Sequence, residues 1–83
     1  MAEPDPDHPA VSPEVRMGND IARQFAYLPE DKAVAAVGNH LAMFWEPRMR
    51  AALVTEVERD PDQLDPLVVE AVRARPEIFP ATR

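Results

Sequence analysis

An 83-residue chain with ten prolines, no cysteine and a formal charge of −6 has material for one small domain, and neither disulfides nor a thiolate zinc site can hold it together. Nine basic residues against fifteen acidic ones would repel a phosphate backbone, which disfavours nucleic acid as a partner. No apolar run approaches the roughly eighteen residues that span a bilayer, and the acidic start Met1-Ala2-Glu3-Pro4-Asp5 is unlike a secretory signal. The reading is a soluble, cytoplasmic chain with no membrane partner.

Residues 1–11 alternate proline with acid (Pro4, Asp5, Pro6, Asp7, Pro9), which removes backbone donors and favours solvated, extended conformations. They read as a disordered leader. His8 lies within it, and nothing beside it completes a metal site. Order is expected to begin at Ser12-Pro13-Glu14, where a hydroxyl can cap the first amides, proline fits the first helical position and an acid meets the positive helix end. The first helix runs to about Ala26, with Val15 or Met17, Ile21, Phe25 and Leu28 on one apolar stripe and Asp20, Arg23 and Gln24 off it. Gly18 within it costs about 1 kcal/mol against alanine and suggests close approach of another backbone.

Pro29-Glu30-Asp31 opens a second helix, which ends at Trp45 or Glu46 because Pro47 disfavours helical geometry in the residue before it. Ala33, Val34, Val37, Leu41, Phe44 and Trp45 share its broad apolar face, and Ala33, Ala35, Ala36 and Gly38 are small enough to admit a neighbouring helix. Pro47 starts a third helix, to about Arg59, with Met49, Ala52, Leu53 and Val57 turned inward. Asp60-Pro61-Asp62-Gln63 is a polar turn. Asp65 then caps, and Pro66 opens, a short fourth helix carrying Leu67, Val68, Val69, Ala71 and Val72, which Pro76 stops. No segment combines strand periodicity with hairpin turns. The fold expected is all-α: a small bundle of three main helices plus a short fourth over residues 12–75. An extended tail follows over 76–83, whose Ile78-Phe79 pair either folds back on the core or docks on another chain.

Nucleophilic catalysis needs Ser, Thr, Cys or Lys beside an oriented base. The chain has one serine, Ser12, already suited to capping, two threonines, Thr55 and Thr82, and one lysine, Lys32. Its acids fall at helix starts and turns, where solvated carboxylates stabilise helices anyway. Both glycines stand alone within helices, so there is no phosphate-binding loop. No catalytic, cofactor-binding or metal-ligating residue is assigned.

The distinctive chemistry gathers in His40-Leu41-Ala42-Met43-Phe44-Trp45-Glu46-Pro47-Arg48-Met49-Arg50, which holds the only tryptophan, two of the four methionines and two arginines around a proline. His40, one turn before Phe44, is either a histidine at the edge of the apolar face or a contact to a partner subunit. Phe44 and Trp45 point about 100° apart on a helix, so one packs inside and the other widens the face towards the third helix or a partner, where tryptophan is a favoured anchor. Arg48 and Arg50 are too close in sequence to share a helix face. They act either as ordinary surface ions, with Glu46 four residues before Arg50, or in carboxylate or phosphate recognition.

Phe44-Trp45-Glu46-Pro47-Arg48-Met49-Arg50, preceded by His40-Leu41, resembles the signature of the delta subunit of cytoplasmic, molybdenum-containing, NAD-dependent formate dehydrogenases. Met17-Gly18-Asn19-Asp20-Ile21-Ala22 is similar to that family's first-helix motif, where alanine is common at the position of Gly18. Leu64-Asp65-Pro66-Leu67-Val68 is similar to the start of its last helix, and the likeness spans roughly residues 14–72. The resemblance implies a non-catalytic accessory subunit of a complex. Its alpha subunit would hold molybdenum bis-guanine-dinucleotide and iron–sulfur clusters, and its beta and gamma subunits FMN, further clusters and the NAD site. No catalytic residue carries over.

The functional expectation is docking on the alpha subunit through His40, Trp45, Pro47, Arg48 and Arg50, in support of assembly or stability. Ile21, Phe25, Val37, Leu41, Phe44, Met49 and Leu53 are expected to form the core. Two other readings stand beside it: a maturation factor that binds the guanine-dinucleotide cofactor through Arg48 and Arg50, and an unrelated helical adaptor for a regulatory protein.

Overall fold

Proline punctuates this chain. In the computed structural model, which describes residues 12–80, α1 (Pro13–Phe25), α3 (Pro47–Arg59), a 3-10 turn (Pro61–Gln63) and α4 (Pro66–Ala74) each begin on a proline. The remaining helix, α2 (Glu30–Phe44), begins just after Pro29. A first helical residue has no intrahelical use for its N–H, so proline loses nothing there and brings a preset φ. Two starts are also capped by side chains: Ser12 Oγ accepts from the Val15 amide at 3.2 Å, and Asp65 Oδ1 from the Leu67 amide at 2.9 Å. The expected all-α bundle is borne out, with four helices and no strand among the described residues. The expected leader, residues 1–11, and the last three residues lie outside them.

Packing centres on α2, most extensively against α4. Ala33, Val37 and Leu41 of α2 are buried, as are Val68, Ala71 and Val72 of α4. At Gly38 an added Cβ would lie 3.8 Å from Ala71 Cβ and 3.5 Å from Arg75 Cδ, ordinary contact distances to the α4 side of the seam. At Gly18 of α1 the corresponding neighbours are Leu53 Cδ1 and Val68 Cγ1, both at 3.7 Å. Those are side chains at ordinary contact distance. The close backbone approach expected at Gly18 is therefore absent.

Asn19 ties α1 to the start of α4. Its Oδ1 accepts from the Asp65 amide at 2.8 Å and its Nδ2 donates to the Gln63 carbonyl at 3.2 Å, so one amide side chain serves as donor and acceptor to a loop that has few regular bonds of its own.

Ile21, Val37, Leu41 and Leu53 are buried, and Phe25 and Met49 pack half-buried against the same cluster. In α3 the buried residues are Leu53, Val54 and Val57, so its inner face is rotated from Met49 and Ala52 towards Val54. The described part of the tail, residues 76–80, is a turn where an extended chain was expected, and its Ile78-Phe79 pair folds back on the core. The Ile78 and Phe79 amides both donate to the Arg75 carbonyl at 2.9 Å, and Phe79 is 3% exposed. Removing the phenyl ring from water, the packing of Ile78 and the two amide hydrogen bonds together offset the cost of ordering the few residues after Pro76. The packed unit therefore continues to Phe79. Arg75 holds this end down by donating to Asn39 Oδ1 at 2.7 Å and to the Glu77 carboxylate at 3.3 Å.

Candidate docking site at the α2–α3 corner

The corner forms because the chain leaves helical geometry at Trp45. Trp45 (φ −99°, ψ 137°) and Glu46 (φ −69°, ψ 156°) are both extended, and Pro47 restarts the helix. The Trp45 amide still makes the helical bond, donating to the Leu41 carbonyl at 3.1 Å, which sets Trp45 on the buried Leu41 side of α2. The indole turns into the core and is 5% exposed, while Phe44, the last helical residue, is left 66% exposed. The expected division of this pair is reversed: Phe44 does not close the core, and Trp45 offers no free surface. Helical spacing puts Phe44 on the same side as Ala33 and Val37, but at the last turn of α2 that side has passed beyond the packed neighbours.

Arg50 fastens the corner from inside. Its Nη1 donates to the Trp45 carbonyl at 2.5 Å, so a cation meets the negative end of α2 and satisfies one of the carbonyls that a helix end leaves unpaired. Its Nε is buried with no acceptor, which places the guanidinium within the fold and turned from solvent at that atom. The pairing with the Glu46 carboxylate suggested by their spacing is not made.

The outward residues are different ones. Arg48 and Pro47 are exposed, and the Arg48 side chain makes no hydrogen bond or ion pair among the described residues. His40 is half-buried, its ring 6.2 Å from that of Phe25 in an edge-on arrangement and 4.7 Å from that of Phe44. Phe25, His40 and Phe44 thus make an aromatic shelf that grades from half-buried to exposed. Met43, 74% exposed, stands beside it. Sequence reasoning gave Met43 no role because it falls off the apolar stripe; the available signal was an apolar side chain on the polar side of α2, shared with Lys32 and Asn39. Tyr27, between α1 and α2 and 80% exposed, also went unassigned.

Charge is segregated along the chain. From Ala33 to Thr55 the only charged residues are Glu46, Arg48 and Arg50. The acids gather elsewhere: Glu30, Asp31 and Glu70 surround Val34 in an open depression where α2 begins beside α4. Further along α3, the Arg59 guanidinium hydrogen-bonded to Glu56 at 2.6 Å holds that carboxyl below its ordinary 4.5, with Gln63 helping and partial burial opposing. No group of three or more His, Cys, Asp and Glu residues is placed to hold a metal among the described residues. None of the described helices is long and apolar enough to cross a membrane.

Fold and corner together define a small helical protein whose distinctive residues stand at an exposed bend. Residues 15–72 match the family described as NADH-dependent formate dehydrogenase delta subunit FdsD, and because that match covers well over half of the sequence, the chain belongs to this family. No curated protein and no solved structure matches it. The matched span holds all the motifs that carried the resemblance, and two of them meet in space: Gly18 faces Val68, and Asn19 binds Asp65.

Proposed function

We propose that this chain is a non-catalytic accessory subunit. It docks on the catalytic alpha subunit of a cytoplasmic NAD-dependent formate dehydrogenase complex that also contains beta and gamma subunits, and it supports that complex's assembly or stability. The observation that carries the reading is that Met43 and Phe44, consecutive in the last turn of α2, are both mostly exposed in a delta-family chain. Adjacent large apolar groups left in water are the usual mark of a surface that a partner covers. His40, Pro47 and Arg48 remain on this face; Trp45 does not. Arg50 is committed to the Trp45 carbonyl, so a cofactor phosphate would find one exposed guanidinium here instead of two. Direct binding of the guanine-dinucleotide cofactor is therefore the weaker reading.

Expression of the dehydrogenase subunits with and without this chain tests the proposal. Complex yield, molybdenum content and formate-dependent NAD reduction should fall when the chain is omitted. Unchanged values for all three would refute it.

A further inference from the structure

Three residues at the corner work against the stability of the isolated chain. Met43 and Phe44 leave most of their surface in water. Arg48 is the second residue of α3, at the positive end of the helix dipole; the first turns of α1 and α2 carry Glu14, Glu30 and Asp31, whereas that of α3 carries no acid and its N-cap residue Glu46 makes no side-chain capping bond. Arg48 has no counter-ion among the described residues. A cation at a positive helix end is a local conflict, and local conflicts that the fold does not resolve mark sites where something else does.

We propose that Met43 and Phe44 are the apolar anchor of the docking face and that Arg48 takes a carboxylate on the partner. The occupant is then an apolar pocket with an acidic rim on the catalytic subunit of the formate dehydrogenase complex; this rests on the docking reading given above. Charge complementarity selects that partner. In a chain of net charge −6, the segment from Ala33 to Thr55 carries one acid and two arginines, so an acidic rim meets the part of the molecule that repels it least. A second copy of the chain is a poorer occupant, since its matching face would set Arg48 against arginine-bearing surface. Phe44 is also held before docking, by its ring contact with His40 at 4.7 Å. A side chain already ordered loses less freedom when it is buried.

The test uses the formate dehydrogenase complex purified without this chain and titrated with the full-length chain at low and high salt. Wild type, Phe44→Ser, Met43→Ser and Arg48→Glu are compared at a temperature where circular dichroism shows each of them folded and of equal helicity. Phe44→Ser should weaken binding on the order of 30-fold, the loss expected of a central anchor. Met43→Ser should weaken it less. Arg48→Glu should bind about tenfold more weakly and lose most of the salt dependence of association, yet melt no lower than wild type, because an acid suits that helix end; a purely structural arginine would lose both. If wild type binds and Phe44→Ser and Arg48→Glu bind equally well, the anchor assignment is overturned while docking itself stands. If wild type does not bind the complex, the docking reading falls and takes the anchor with it. A wild-type dimer in light scattering that Phe44→Ser converts to monomer would make a second copy the occupant and overturn the assignment.

Discussion

Replacing Trp45 with alanine should cost a large share of the stability of this protein, and replacing Phe44 should cost little. A tryptophan side chain presents up to about 250 Å², and with 5% exposed nearly all of it is removed from water. At about 25 cal/mol per Å² this is an upper bound of roughly 6 kcal/mol, and large aromatic-to-alanine changes in cores cost about 3–5 kcal/mol. An 83-residue chain has a total stability of about 4–12 kcal/mol at 0.05–0.15 kcal/mol per residue, so Trp45→Ala removes a large share of it. Phe44, 66% exposed, buries only about a third of roughly 200 Å², worth under about 2 kcal/mol. Alanine's better helix propensity returns about 0.5 kcal/mol of that, leaving a net cost near 1 kcal/mol. Urea unfolding of the full chain followed by far-UV circular dichroism measures both. If Trp45→Ala costs no more than Phe44→Ala, the division of this pair between core and surface is wrong.

Gly18→Ala should raise stability by about 0.5–1 kcal/mol in the same assay, because the new methyl would sit 3.7 Å from Leu53 and Val68 side chains while the helix gains in propensity; a lowered midpoint would show that the α1 seam is tighter than it looks. Asn19→Ala should lower stability by about 1–3 kcal/mol, since it leaves the part-buried Asp65 amide without its acceptor, and a change within error would mean that water replaces the side chain. Glu56, held below its ordinary 4.5 chiefly by Arg59, contributes stability that is fully present above its unfolded value and is lost as pH falls through its lower folded value. The stability difference between wild type and Glu56→Gln should therefore be constant near neutral pH and shrink below about pH 4.5; a difference that grows on acidification would contradict the assigned direction.

The helices were legible because their signals are local: proline at the first helical position, serine or aspartate before it, and apolar spacing of three and four. Pro13, Pro47 and Pro66 open helices as expected. Which side chains are buried was legible only where the helix continues on both sides. Leu41 lies well within α2 and is 0% exposed, whereas Phe44 shares its periodicity but falls at the terminus, where spacing no longer decides what stands opposite. Arg50's partner is a backbone carbonyl, which sequence spacing between charged residues does not reveal. The Asn19–Asp65 bond joins residues far apart in the chain, and Phe79 is buried through a turn after proline. Both depend on tertiary packing overriding a local preference.

Two causes could set the corner, and their magnitudes separate them. Pro47 disfavours helical geometry in Glu46, while burial of Leu53, Val54 and Val57 of α3 in the common core requires the chain to turn between α2 and α3. If proline were decisive, Pro47→Ala would let α2 run on into α3, and the continuous helix would carry Leu53, Val54 and Val57 away from the core that encloses Trp45. That extension gains a few tenths of a kcal/mol per residue from propensity, against about 3–5 kcal/mol lost from the core. Burial wins by a wide margin, so Pro47→Ala should keep the corner and lose only about 0.5–1 kcal/mol, mainly through a less restricted unfolded chain. Trp45 is the only tryptophan, so its fluorescence emission reports the outcome without ambiguity. A blue, buried emission in Pro47→Ala means that core packing bends the chain there and thereby leaves Phe44 on the surface. A shift to the red would make the proline the cause and the exposure of Phe44 its by-product.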